Sequence, residues 1–211
     1  MTNSARKLKR SAVKNIVRFP AIKANGGKTI LVESILESKY CLHLEFDPNV
    51  ATYFPQPKTF KIPGEDEETA FKPNFEVHYA SGARSYVGVK SLERASTFHL
   101  QQLLARFEST FQYQPNVNFF VVDELEIFQQ PLLSNYEKLY QYRKRPSLDI
   151  RNLHHCAAGI TVSMPLSRLV AKLGDSASLR EIYSWLALGY LSFDMSSEQL
   201  TMMTEVKFHV G

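Results

Sequence analysis

Leu100, Leu103, Leu104, Phe107 and Phe111 recur at the spacing of one helical face, and the apolar run Val117-Asn118-Phe119-Phe120-Val121-Val122 follows soon after. A strand reached through an amphipathic helix cannot close back as a tight hairpin. The helix crosses over a sheet and the strand joins parallel to one of its members. Upstream, Phe71 to Tyr79 and Arg84 to Lys90 are rich in β-formers and flank Ala80-Ser81-Gly82-Ala83, which predicts an antiparallel hairpin. Thr59 to Ile62 alternates polar and apolar residues as a further extended piece. A Leu- and Glu-rich stretch free of Gly and Pro predicts a first helix from Val32 to Phe46, ended by Asp47-Pro48-Asn49. A second helix is expected over Leu92 to Phe111. The order helix, strands, helix, strand predicts an α/β sandwich on a mixed sheet.

The character changes near residue 134, where a domain boundary is expected, giving units 1–133 and 134–211. A helical connector over 134–158 carries Arg143, Lys144 and Arg145, which either touch nucleic acid or coat a linker. After Met164-Pro165 a short helix is expected to run to Leu173, stopped by Gly174. A second should span Ser178 to Leu188, stopped by Gly189. Strands are expected at Tyr190–Asp194 and Glu205–Val210. Helix, turn, helix and hairpin make the plan of a winged helix, a module that binds DNA or protein.

Charge is unevenly spread. The net charge is +4 in 211 residues, yet residues 1–30 hold eight Lys and Arg and no acid. Arg6, Lys7, Lys9, Arg10, Lys14 and Arg18 lead this arm. A wholly basic arm is drawn to phosphate, because each cation that neutralises one releases a counterion. It equally suits a solubilising tail or an acidic partner. Cys41 and Cys156 stand alone, which excludes a disulfide framework and a zinc site built on Cys pairs. No apolar run is long enough for a transmembrane helix and no secretory signal is evident, so a bacterial cytoplasmic location is expected.

The chemistry-bearing residues follow one order. Glu33 and Glu37 lie four apart, on one face of the expected first helix. Gln56 lies between prolines in Phe54-Pro55-Gln56-Pro57. Lys72-Pro73-Asn74-Phe75 opens one hairpin strand, and Val87-Gly88-Val89-Lys90 closes the other. An acid on a loop followed by an acid-x-Lys element on a hairpin is how a large nuclease class holds its metal. The carboxylates supply the oxygen ligands that magnesium prefers, and the lysine orients water or stabilises charge. Alone the pattern is weak.

The surrounding text sharpens it. Glu33-Ser34-Ile35-Leu36-Glu37, Leu44-Glu45-Phe46-Asp47-Pro48-Asn49-Val50, Gln56-Pro57, Lys72-Pro73-Asn74-Phe75 and Val87-Gly88-Val89-Lys90 occur in that order. In this the chain resembles the TnsA family, the endonuclease subunits of heteromeric cut-and-paste DNA transposases. The family runs Glu-Ser-x-x-Glu, Leu-Glu-Phe-Asp-Pro-x-Val, Gln-Pro, Pro-Asp-Phe and Val-acid-or-Gln-Val-Lys at similar spacing. The resemblance implies a restriction-endonuclease-like core with a C-terminal winged-helix-like domain, and a need for Mg2+, with Mn2+ as an alternative. It implies nicking at the 5′ ends of the element. The implied partners are double-stranded transposon-end DNA, a DDE transposase subunit (TnsB-like), an AAA-type ATPase regulator (TnsC-like) and, in some relatives, a CRISPR-guided targeting complex; none is a membrane.

Carried over residue by residue, the helix carboxylate falls on Glu37 and the catalytic lysine on Lys90. The metal-binding aspartate falls on Asn74, and the acid-or-Gln position on Gly88, which keeps only a backbone carbonyl as ligand. An amide has one oxygen and no charge, so the substitution weakens any magnesium site. Asn74 is read either as a substitution that traps an uncleaved complex, which intact Glu37 and Lys90 favour, or as the mark of a degenerate assembly scaffold, which Gly88 favours. The bland alternatives are a solvated Glu37, a surface Lys90 and a turn-forming Asn74. Glu65, Asp66, Glu67 and Glu68 read as a solvated loop, and His154-His155-Cys156 as helix packing. The helix 178–188 offers one basic residue, Arg180, which is poor for base readout, so the C-terminal domain is expected to dock a protein partner without reading DNA sequence. Deleting residues 1–20 removes six of the arm's eight cations and should flatten the dependence of DNA affinity on salt, measured as log affinity against log salt. An unchanged slope would assign the arm to protein or to nothing.

Overall fold

The computed structural model describes residues 16–62, 69–111 and 117–209. Arg6, Lys7, Lys9, Arg10 and Lys14 of the basic arm and the acidic loop 65–68 lie outside them. The chain divides into two compact units, with the boundary between Phe128 and Gln129, ahead of the expected 133/134.

In the first unit, β1 (Val17–Pro20) pairs antiparallel with β2 (Thr29–Val32) across a short 3-10 turn at Asn25–Gly27. Val32 therefore belongs to a strand, and α1 begins later, at Ile35, running to Phe46. The Ser34 hydroxyl accepts from the Glu37 N–H and sets that start. Arg18 sits exposed on β1. Phe19, Ile30 and Val32 are buried, so deleting residues 1–20 would damage the fold as well as the arm. The salt test is better made with glutamine at Arg6, Lys7, Lys9, Arg10 and Lys14.

β3 (Val50–Pro55) lies beside β6 (Phe75–Tyr79), which forms the expected hairpin with β7 (Arg84–Val89). Between them in sequence, β4 (Phe60–Ile62) and β5 (Thr69–Phe71) make a separate small ribbon. The single helix expected at 92–111 is broken at Ser96 and Thr97 into α2 (Leu92–Ala95) and α3 (Phe98–Phe111). β8 (Val117–Val122) then joins parallel to β7, giving the mixed order β3-β6-β7-β8. Leu103 and Phe107 of α3 pack with Phe60, Phe71, Tyr86 and Phe119, and Leu100 and Leu104 flank them. The helical stripe thus covers one face of the sheet. On α1's side, Tyr40 and Tyr53 meet Phe75 edge-on or tilted. α4 (Glu124–Ile127) ends the unit, its Ile127 carbonyl 2.9 Å from His43 Nε2 on α1.

The second unit opens with α5 (Leu132–Lys144) and α6 (Ile150–Ala158). β9 (Met164–Pro165) leads into α7 (Leu166–Leu173), and α8 (Leu179–Leu188) follows with a capping box between Ser178 and Glu181. β10 (Leu191–Ser192) and β11 (Glu205–Phe208) pair antiparallel, and β11 also pairs with β9. Asn135, fully buried on α5, donates to the carbonyls of Met195 and Glu198 and accepts from Leu200 N–H, fastening the β10–β11 connection to the helices. Both cysteines are free and buried. Among the described residues no helix is long and apolar enough to cross a membrane.

Glu45 is completely buried, and its carboxylate accepts from Ile22 N–H at 2.8 Å, from Lys23 N–H, and from Tyr53 OH at 2.8 Å. It joins α1 to β3 and to the segment between β1 and β2. Removing it strands buried donors, the costly direction of hydrogen-bond loss. Glu45→Ala should lower stability by about 2–4 kcal/mol, and Tyr53→Phe by about 1 kcal/mol, in urea unfolding of the full chain. Equal small losses would show that the donors find water instead.

Candidate functional site

Glu37 occupies the third position of α1, where a carboxylate is favoured by the helix N-terminus. Glu33 is not on the helix, contrary to the expectation of a shared face. It precedes the Ser34 cap, and its backbone N–H donates to Glu37 Oε2 at 2.9 Å. The other carboxylate oxygen of Glu37, Oε1, accepts from Asn74 Nδ2 at 2.8 Å. Glu37 is only 4% exposed. Burial pushes its carboxyl above the usual range, opposed by the bond from Glu33 N–H, the amide of Asn74 and the charge of Lys90.

Asn74 stands immediately before β6, where three chain segments converge. Its N–H donates to the Val87 carbonyl and its own carbonyl accepts from Gln56 N–H at 2.7 Å. Its side-chain oxygen accepts from Val89 N–H at 2.9 Å and from Lys90 Nζ at 3.2 Å. The structure therefore brings Glu37, Asn74 and Lys90, widely separated in sequence, into one hydrogen-bonded chain at the end of the hairpin.

Gln56 enters through its backbone. It is buried, with φ +52, one of two non-glycine residues at positive φ among the described residues. That conformation costs on the order of 1 kcal/mol for an ordinary side chain. Its Nε2 is buried with no hydrogen-bond partner among the described residues. The strained backbone of Gln56 is bonded to Asn74, and neither the strain nor the orphaned amide was legible in Pro-Gln-Pro.

The space beside the Gly88 Cα is filled. A Cβ built there would lie 3.1 Å from Val121 Cγ2 and 3.5 Å from the Phe71 ring, so apolar side chains occupy the space a longer residue would need. Arg143 has a partner within the second unit. It is half-buried and donates through Nη1 to the Ala187 carbonyl at 2.8 Å, satisfying the end of α8, so it serves the fold of the second unit. Lys144 is half-buried on the last turn of α5, and Arg145 is exposed just past it.

As a cation site the cluster is poor. Glu37 is its one carboxylate, and the Asn74 oxygen already accepts from an ammonium and an N–H. Among the described residues no three His, Cys, Asp or Glu side chains converge as metal ligands. These residues as they stand do not suit magnesium, which is bound through carboxylates and water. The surroundings of Asn74 nevertheless suit an aspartate. Its Oδ1 faces two donors, and only the bond from Nδ2 to Glu37 requires an amide. The sequence matches no family model and no curated protein.

Asn74→Asp would set two carboxylate oxygens about where Nδ2 and Oε1 now stand, and two carboxylates sharing a site cannot both ionise at no cost. Their shared proton raises the folded-state pKa above its unfolded value, so stability is full at acid pH and is lost as pH rises through the raised value. The variant should be less stable than the parent by about 1–3 kcal/mol at neutral pH. The deficit should close at acid pH, or on adding millimolar Mg2+ or Mn2+, while the parent's melting temperature ignores the metal. A variant melt indifferent to both pH and metal would show that the two side chains turn away from each other.

Proposed function

We propose that this chain is the DNA-strand-cutting subunit of a cut-and-paste transposase in which the cutting site carries an amide in place of one carboxylate. The observation that carries this reading is the juxtaposition of Glu37, Asn74 and Lys90. The same three positions fall on the helix carboxylate, hairpin acid and lysine of the TnsA pattern. In this reading the first unit is a restriction-endonuclease-like core and the second a winged-helix-like domain. The mixed sheet with its helical crossover and the helix–helix–hairpin order of the second unit support both assignments.

Lys90 belongs at the phosphate, where its ammonium balances charge that develops during strand cleavage. In this chain the lone carboxylate and the engaged amide leave it able to bind a transposon end but poor at cutting it. Its partners in this reading are the DDE transposase that acts on the other strand and the ATPase regulator.

A second reading has its own observation. Phe71 and Val121 close the space beside Gly88, and the Asn74 amide is hydrogen-bonded through both side-chain atoms, as in a cluster kept for shape. On this view the chain is an assembly scaffold joining transposase, ATPase and DNA.

Asn74→Asp separates the two. With the transposase partner and a transposon-end duplex present, the variant should gain magnesium-dependent nicking at the 5′ end, read on a denaturing gel. Glu37→Ala in that background should abolish it, and Lys90→Ala should lower the rate on the order of 10²–10³-fold. If the aspartate variant binds Mg2+ but cuts nothing, the scaffold reading stands.

A further inference from the structure

We infer that the second unit carries a phosphate-binding cleft, formed jointly by α5 and α8, that grips the backbone of duplex DNA without reading its sequence. Gln141, Tyr142 and Arg145 from the end of α5 and Arg180 from the first turn of α8 line one depression. Among the described residues no acidic side chain lines it and neither guanidinium forms an ion pair. Two like charges brought to one cleft without a carboxylate between them repel, and an anion relieves that repulsion.

The cleft is held in shape. Arg180 Nη2 donates to the Arg145 carbonyl at 3.3 Å, which fixes the direction of the guanidinium and leaves its remaining donors for a ligand. The Tyr142 ring stacks on Tyr183 of α8, with centroids 5.0 Å apart and planes at 22°. Lys138, one turn and more upstream on α5, lies with its Nζ 5.6 Å from the Tyr183 ring and donates to the Leu200 carbonyl. Together these contacts lock the two helices side by side.

The chemistry favours a phosphodiester over an acidic peptide. A carboxylate is satisfied in its own plane by one guanidinium fork. Here two guanidiniums reach in from different helices, with an amide and a phenol beside them, which suits oxygens arranged tetrahedrally about phosphorus. Arg145 and Arg180 are both exposed. A single small anion at so open a place is weakly held, whereas a duplex that also spans neighbouring cations is not. Counting cations helix by helix hides this cleft, because α8 contributes only Arg180 and its companion, Arg145, comes from just past the end of α5. Phosphate contacts fix position and carry no sequence information, so the cleft is compatible with a domain that also docks a protein.

The test uses the full chain and two unrelated duplexes of about 30 base pairs, titrated by fluorescence anisotropy between about 50 and 200 mM salt. Arg145→Gln together with Arg180→Gln should weaken both duplexes equally, by roughly tenfold or more. The same pair should reduce the slope of log affinity against log salt by about one to two. Arg180→Lys should keep the slope. Arg145→Gln alone serves where the double variant melts early by circular dichroism, since the Arg145 side chain makes no hydrogen bond among the described residues; it should lower the slope by about one. An unchanged slope and affinity in a folded variant overturns the cleft, and a loss confined to one duplex overturns backbone recognition. Neither readout depends on strand cutting, so failure here leaves the reading of the Glu37 cluster untouched.

Discussion

The side chain of Asn74 links everything around the candidate site. One oxygen holds the end of β7 through Val89 N–H and steadies Lys90, while the nitrogen reaches across to α1 and ties down Glu37. Its backbone holds the strained turn at Gln56 and the Val87 carbonyl. A helix, a turn and a hairpin therefore share one small polar residue, in a setting dry enough that Glu37 is pushed toward its protonated form. A buried polar network of this kind is worth keeping only when every member is satisfied. Asn74 meets that condition without an ion. Its oxygen side would suit an aspartate equally well, and its nitrogen side would not.

How much of this was visible in the residues alone depends on the signal each element carries. The hairpin at 80–83 and the parallel strand Val117–Val122 follow from β-rich runs, a turn and a five-residue apolar stripe, and all appear in the structure. The pair β1–β2 went unseen because it is four residues a side and half exposed, so its alternation is too short to register. The start of α1 was legible, since Ser34-Ile35-Leu36-Glu37 is a capping-box pattern, but a helix drawn from composition alone begins too early. The break at Ser96 and Thr97 interrupts no hydrophobic period, because Leu100 to Phe107 lies wholly beyond it.

The site divides in the same way. Motif order pointed to Glu37, Asn74 and Lys90 together, and the coordinates place them within hydrogen-bonding reach. The inward turn of Arg143 and the packing beside Gly88 were invisible, because both depend on which neighbours tertiary structure supplies. Glu45 shows the limit most plainly. It stood inside the Leu-Glu-Phe-Asp-Pro motif as one residue among five, yet it is the completely buried acceptor on which the first unit's entry segment hangs.

Gly88 has a consequence for the routes open to this chain over generations. Asn74 can become aspartate by a change that respects most of its bonds, so that step is accessible from the present sequence. Position 88 is different. A Cβ there already presses Val121, and anything longer must find room beside Phe71, a ring shared with the core under α3. A Cβ at 88 requires Val121 to give way by a few tenths of an ångström, and a longer side chain is best accommodated with a smaller residue at Phe71 or Val121. Position 74 can gain a carboxylate in one move, whereas position 88 is hemmed in by its neighbours and gains a long side chain only once they have made room.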